Sequence, residues 1–464
     1  MLRHALLRSS QGVARLQAPV VSGASLFHTS SATYSAPMPK FGLARRKTPK
    51  GQKGQKKSKV SKGTPGNNDS FMEYVRDKSI SLKAPSLASD LENIEEIVQA
   101  RLTADNKLEN KDTLPQLTKY SDDSLKRLHH IGAFQKAQYH ELFREKVSLL
   151  RQETLKICNK LTESASKSPK IVITGESGIG KSTALAQVQS YLMSKDSIIF
   201  HLPNVKTIVD GTYEFNLNSS TNLYDQPGLI KKVFIKLSKS NKELLSSIKL
   251  SDNYTYGTAR FSPENHSLHD LVMLPAKVPK NLYSSVFNDV VKELQKQDKY
   301  SVYLTIDEFN SLVEHSGSAY RDIDYNVIGI DKLSMVKFAL DWIKGAIAFP
   351  RGGVVLANSS NYQESSTFKF AVGMEPLNPF DETLDKSLVS YLKDVEVVKL
   401  EKLSREEIGE LTQWQLNNGL IISQDISMSE DGEVDVQKLV NEKYFLSSNG
   451  NPREFIKSCN LLYY

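Results

Sequence analysis

An α/β fold, a parallel sheet flanked by helices, is predicted by three apolar runs in this sequence. Lys170-Ile-Val-Ile-Thr174 leads through a glycine-rich loop into a helix-forming stretch, Ala184 to Met193. Ser301-Val-Tyr-Leu-Thr-Ile306 ends in the acidic pair Asp307-Glu308, and Gly352-Gly-Val-Val-Leu-Ala357 ends in Asn358. Short apolar runs of this kind are the mark of strands buried on both faces. The chain has 464 residues, 39% hydrophobic and 24% charged, enough for two or three domains with cores of their own. No run approaches the ~18 apolar residues that span a bilayer, so membrane insertion is not expected. Two cysteines, Cys158 and Cys459, exclude a disulfide scaffold and a cysteine-rich zinc module.

Charge divides the chain. Residues 1–68 hold 13 Lys or Arg and no acid, which leaves 47 basic groups to face all 53 acidic ones in the rest. Residues 1–35 place Arg3, Arg8 and Arg15 among Leu, Ala, Val and Ser, the composition of a mitochondrial transit peptide, and imply a matrix location. Residues 36–69 form a basic arm. Its segment 39–68 carries ten Lys or Arg with Gly, Pro, Gln and Ser, too little apolar surface to fold alone. Such a polycation suits phosphate contacts along RNA, through counterion release; a solvated linker is the alternative. Residues 70–165 are expected to be a helical extension. Leu125, Leu128, Ile131, Phe134, Leu142, Phe143, Val147, Leu150 and Leu155 recur at helical steps, and 138–164 lacks Gly and Pro, so one long helix is expected there.

Residues 166–400 are read as the nucleotide-binding domain. Gly175-Glu176-Ser177-Gly178-Ile179-Gly180-Lys181-Ser182 has the G-x-x-x-x-G-K-S form between a strand and a helix. Glycines let backbone N–H groups wrap phosphate oxygens, Thr183 closes the binding loop, and the N-terminus of the following helix adds its positive end. Lys181 is expected on the β- and γ-phosphates and Ser182 on Mg²⁺. Asp307, at the end of its strand, is the expected second metal contact, a Walker B aspartate; Glu308 stands where an attacking water would be oriented, if hydrolysis occurs. Asn358 resembles the sensor-1 residue of AAA+ and STAND ATPases, and equally an ordinary strand-end asparagine. Ser448-Asn-Gly450-Asn451-Pro452-Arg453 resembles their lid motif, which places Arg453 near the nucleotide; a helix start with a solvated arginine fits as well. Leu403-Ser404-Arg-Glu-Glu407 reads as a capping box that opens a helical lid, 401–464.

Asp225-Gln-Pro-Gly228 has the D-x-x-G form of a GTPase switch, yet no apolar strand precedes it and the N/T-K-x-D base-reading tetrad is absent. It reads as a turn capping a helix over Leu229–Leu237. These residues therefore leave guanine and adenine both open. Residues 239–280, polar and holding His266 and His269, read as an irregular insertion; two histidines alone are no metal site.

Taken together, residues 120–464 resemble the death-associated protein three family, P-loop proteins of the mitochondrial small ribosomal subunit. The resemblance rests on Gly132-Ala-Phe134, Phe143 to Arg151, Gly175–Ser182, Ile199-Phe-His-Leu-Pro203, Asp225-Gln-Pro227, Val302–Glu308 and Gly450-Asn-Pro-Arg453. It implies an AAA+/STAND-like fold and a bound GTP or GDP, with ATP as the other candidate. It also implies contacts with small-subunit rRNA, with neighbouring small-subunit proteins and with the large subunit across the intersubunit bridge. The nucleotide is then chiefly structural, with slow hydrolysis at most. A matrix AAA+/STAND ATPase switch is the rival reading; it needs an arginine supplied in trans, for which Arg321 and Arg351 are the candidates.

Overall fold

The computed structural model describes residues 91–103, 116–134, 146–163, 167–313, 317–359, 364–376, 378–381, 384–421, 425–426 and 434–460. The chain divides into two units, residues 1–66 and 67–464, and every described residue belongs to the second. The expected leader (1–35) and basic arm (36–69) lie outside the described residues.

Five strands form the central sheet: β1 (Lys170–Thr174), β2 (Ile198–Leu202), β3 (Val302–Ile306), β4 (Gly352–Ala357) and β5 (Glu396–Lys399). All neighbours are parallel, in the order β5-β1-β4-β3-β2. This is a P-loop NTPase sheet of the AAA+ type, in which β4 separates the strand before the glycine-rich loop from the strand that ends in Asp307. The register aligns the C-terminal ends: Ile173 lies opposite Ala357, Leu356 opposite Ile306, and Ile306 opposite Leu202. Residues 175, 307 and 358 thus emerge along one edge, where ligands bind in open parallel sheets.

The strands are apolar on both faces because helices cover both. On one face Val172, Phe200, Leu304 and Leu356 pack against α5 (Pro227–Ser240), α6 (Tyr283–Lys296) and α7 (Ser334–Lys344). On the other, Ile171, Ile173, Tyr303 and Val355 meet α4 (Lys181–Ser194). α4 is buried on nearly every side, because α1 (Ile94–Thr103), α2 (Asp122–Ile131) and α3 (Gln152–Glu163) cover its outer surface. The lid is α8 (Arg405–Asn417), α9 (Val436–Leu446) and α10 (Pro452–Asn460), with its own core around Ile408, Trp414, Leu439 and Phe455. The capping box at Ser404 and Glu407 is present. Among the described residues no helix is long and apolar enough to cross a membrane.

Three expectations need correction. The long helix over 138–164 does not form: Val147–Leu150 is a strand, paired antiparallel with Gln116–Lys119, and α3 begins only at Gln152. Long-range pairing overrides helical periodicity here, and the hairpin's Leu117 and Leu149 join the lid core. The stretch 239–280 is ordered, with helices Lys242–Ser247 and Leu268–Val272 around a hairpin of Tyr254–Tyr256 and Ala259–Phe261. Asp225 does not cap α5, whose first turn is set by Pro227; it accepts a hydrogen bond from the Asn218 amide at 2.9 Å in a short hairpin.

Gly352 opens β4 with φ +145°, and a Cβ there would lie 1.7 Å from the Val302 carbonyl oxygen. Gly352→Ala must therefore part β4 from β3. A loss of about 3 kcal/mol in unfolding free energy is expected in chemical denaturation. An unchanged midpoint would mean that the two strands tolerate a wider separation.

Candidate nucleotide site

The turn after β1 is made by backbone conformations that suit glycine: Gly175, Gly178 and Gly180 all have positive φ. At Gly178 the reason is also spatial, since a Cβ would lie 2.6 Å from Asn451 Oδ1 in the lid. Lys181 follows at the first turn of α4. Its ammonium donates to the carbonyls of Gly175 (2.7 Å) and Glu176 (2.8 Å), so it arches across the loop. Burial lowers its pKa; Glu364 and Asp307 oppose that shift, and Arg453 adds to it. Thr183 lies two residues further into α4, and Ile179 is buried beneath the loop.

Asp307 meets this loop from β3. Its carboxylate accepts from the Glu308 N–H (3.0 Å), and the nearby Ser182 hydroxyl and Lys181 charge lower its pKa. Burial nevertheless holds its pKa above the ordinary aspartate value. Glu308 is held at φ +59°, a rare conformation for a side chain that is not glycine. Burial raises its pKa, the Asp307 carboxylate raises it further, and Lys206 opposes both. Asn358 follows β4 directly, and its amide donates to Glu364 at 3.0 Å. Among the described residues the buried Asn358 Oδ1 and Thr174 Oγ1 have no hydrogen-bond partner.

The lid closes the other side. Asn451 donates to the Ser177 carbonyl at 2.6 Å, the Arg453 N–H reaches the Gly178 carbonyl at 3.2 Å, and the Arg453 guanidinium reaches the Ser177 hydroxyl at 3.3 Å. Lys402 pairs with Glu176 at 3.3 Å. Arg151, from the N-terminal hairpin, bonds the Ile179 and Glu401 carbonyls, so three parts of the chain grip one turn. Beside Gly180 and Thr183 lies a cavity of about 310 Å³, walled by Leu149, Ile179, Leu403, Trp414 and Phe455. Gln415 also lines it, 4% exposed, with a buried Oε1 that has no hydrogen-bond partner among the described residues.

The structure thus brings Gly175 to Thr183, Asp307, Glu308, Asn358 and Arg453 to one end of the sheet. Asn451, inside the lid motif but not singled out as a site residue, joins them, and so do Glu364 and Gln415, which arrive by tertiary contact from segments with no motif. Beneath the site, His201 and Gln189 meet at 2.9 Å and both bond Thr305 on β3. Burial, with Lys236 nearby, lowers the His201 pKa to about 3, so the ring is neutral and serves as a strut. His266 packs on Phe261, and His269 Nε2 lies 3.1 Å from the Ser238 hydroxyl. Among the described residues no three His, Cys, Asp or Glu side chains cluster as metal ligands. Ser182 and Asp307 offer a cation two hard oxygens, a donor set that fits Mg²⁺, which takes its remaining ligands from phosphate and water.

A family model described as mitochondrial ribosomal death-associated protein 3 matches residues 148–458. A Neurospora crassa protein named small ribosomal subunit protein mS29 is 23% identical over 364 residues, 74% of this chain and 74% of that one. A Schizosaccharomyces pombe protein of the same name is 24% identical, covering 75% of this chain and 71% of its own. Cdc6p from Pyrobaculum aerophilum aligns over 68% of each chain at 9% identity, with a TM-score of 0.29. The match over residues 148–458 spans the whole sheet and most of the lid, and by it this chain belongs to the mitochondrial ribosomal death-associated protein 3 family.

Proposed function

We propose that this chain is a nucleotide-binding structural component of the mitochondrial small ribosomal subunit and supports translation in the matrix. The ribosomal half rests on the family and on relatives named as small ribosomal subunit proteins. The nucleotide half is carried by one observation: the glycine-rich loop and the end of β3 come together, so that the Ser182 hydroxyl and the Lys181 ammonium both act on the Asp307 carboxylate and lower its pKa against burial. A phosphate chain would be held by the loop N–H groups, with Lys181 to neutralise it and Arg453 to reach it from the lid. Mg²⁺, held by Ser182 and Asp307, supplies positive charge to the phosphates. The cavity beside Thr183 has the size and apolar walls that suit a purine, and the Gln415 amide oxygen is a hydrogen-bond acceptor for it.

GTP or GDP is the proposed ligand, with ATP as its competitor. Its main role is to hold the loop, the lid and the N-terminal hairpin together. A ligand bound only by the folded state stabilises it by about 4 kcal/mol at a thousandfold excess over its Kd. Small-subunit rRNA, adjoining small-subunit proteins and the large subunit across the bridge are the proposed partners. The basic leader and arm are proposed as address and RNA contact.

The test is to denature the purified full chain and identify the released nucleotide by chromatography. About one equivalent of guanine nucleotide is expected; adenine nucleotide would keep the site and change the base, and none would overturn the reading. Lys181→Ala should weaken binding about 100-fold, since a charge-assisted contact to phosphate is lost; normal affinity would refute the assignment. Glu308→Gln should preserve binding and slow any turnover about 100-fold; unchanged turnover would remove Glu308 from the chemistry. In a sucrose gradient the protein should travel with small-subunit particles. Migration as a free ring would favour the ATPase switch.

A further inference from the structure

α5 carries five of its six outward positions as Lys231, Lys232, Lys236, Lys239 and Ile235, with Gly228 as the sixth, while Leu229, Ile230, Val233, Phe234 and Leu237 face the core. Lys242 follows at the start of the next helix. Between residues 226 and 242 there is no acid. Several exposed lysines elsewhere are paired, as Lys160 is with Glu396, Lys292 with Asp289 and Lys369 with Glu375. Among the described residues none of the five lysines at 231–242 has an ion-pair partner.

The acids nearest in sequence are engaged elsewhere. Asp225 is buried and bonded to Asn218, and Glu243 acts with Asp123 and Asp196 on Arg127, at the C-terminal end of α5. Lys232 lies over the Tyr213 ring, 4.7 Å from its centroid, and its ammonium donates to the Tyr213 hydroxyl at 3.3 Å, which orients it away from the core. Lys236 is half-buried beside the end of α2, where a Cβ on Gly132 would lie 3.0 Å from its Nζ. Burial lowers its pKa and Lys232 lowers it further, with no acid acting on it. Like charges on one helix face repel. A row of them with one partly desolvated member and no counter-charge is suited to an external anion.

We propose that the outer face of α5 is a docking surface for the phosphate backbone of a structured RNA. The inference rests on the ribosomal reading above and adds a site on the folded body, apart from the basic arm. At 1.5 Å per residue the ammonium groups of Lys231, Lys232, Lys236 and Lys239 spread over about 12 Å of helix, long enough to follow successive phosphates. The face holds no Arg, Asn or Gln to read base edges, so it positions the RNA without selecting sequence. Ile235, 43% exposed amid the lysines, supplies apolar contact to sugar edges.

The experiment compares the full-length protein, the triple variant Lys231→Glu/Lys232→Glu/Lys239→Glu, and a control triple, Lys160→Glu/Lys292→Glu/Lys369→Glu. The control makes the same charge change at ion-paired lysines. In vitro transcribed small-subunit rRNA is the probe, titrated from 50 to 200 mM salt, and nucleotide content reports folding of each variant. The α5 variant should bind at least about tenfold more weakly than the control triple, and its slope of log affinity against log salt should flatten by about 3. Equal weakening by both triples, or an unchanged slope in the α5 variant, overturns the proposal. If the α5 variant keeps its RNA affinity yet fails to sediment with small subunits, the face docks a protein and the RNA assignment falls. If the wild type sediments with small subunits and the α5 variant matches the control triple, this inference alone fails. A wild type that neither binds the rRNA nor sediments removes the ribosomal reading with it.

Discussion

The contact between the Ser182 hydroxyl and the Asp307 carboxylate is the constraint on which the rest of the site depends. The two residues are 125 positions apart, and no local preference joins them. They meet because β1 and β3 flank the same strand in one parallel sheet, with their C-terminal ends level. The intervening β4 brings Asn358 between them, and Phe309 N–H on the Ala357 carbonyl (3.0 Å) ties the turn after Asp307 to it. Asn310 and Ser359 exchange two further hydrogen bonds, at 2.6 and 2.7 Å. With the Asp307 N–H on the Leu202 carbonyl (3.0 Å) before it and these bonds after it, the acidic turn is anchored on both sides, which explains how Glu308 is kept in its strained conformation.

Electrostatics at this edge follow from burial. Lys181 is drawn toward neutrality and Asp307 and Glu308 toward protonation, each by desolvation, and each is partly restored by a neighbour of opposite sign. Such a set is poised for a ligand that brings both signs, and a phosphate chain with its cation is one. The neutral His201 below belongs to a different class. It has no charge to lend, and its bonds to Gln189 and Thr305 hold β2, α4 and β3 in mutual register under Asp307. The His-Leu-Pro segment that helps mark the family therefore has a packing explanation.

Much of the sheet was legible because its strands are short apolar runs bounded by glycine or acid, and the phosphate loop was legible because its spacing is local. The rest depends on contacts that spacing does not encode. Val147–Leu150 has helical periodicity with its neighbours, yet 116–119 offers it backbone partners and the lid offers its apolar side chains a core. The polar stretch 239–280 reads as irregular because its small helices and hairpin each bury only a few residues, Leu245, Tyr256 and Leu271 among them, against a core built by others. Glu364 and Gln415 carry no motif of their own; they matter because the chain returns them to a turn about 180 and 230 residues away.

The lid shows why a nucleotide can be structural in such a fold. Arg151 from the N-terminal hairpin, Asn451 and Arg453 from the start of α10, and Lys402 from the strand-to-lid junction all fasten to one turn of eight residues. The cavity between them is lined by all three parts, with Leu149 from the hairpin, Thr183 from α4 and Trp414 from α8. A ligand filling it would bury apolar surface from each part at once, at about 25 cal/mol per Å². Binding energy would then be spent on joining subdomains, which a ribosomal scaffold requires whether or not the phosphate bond is ever cleaved. The orphaned Gln415 oxygen inside that cavity argues the same way, since a buried acceptor without a partner costs about 1–3 kcal/mol until a donor reaches it.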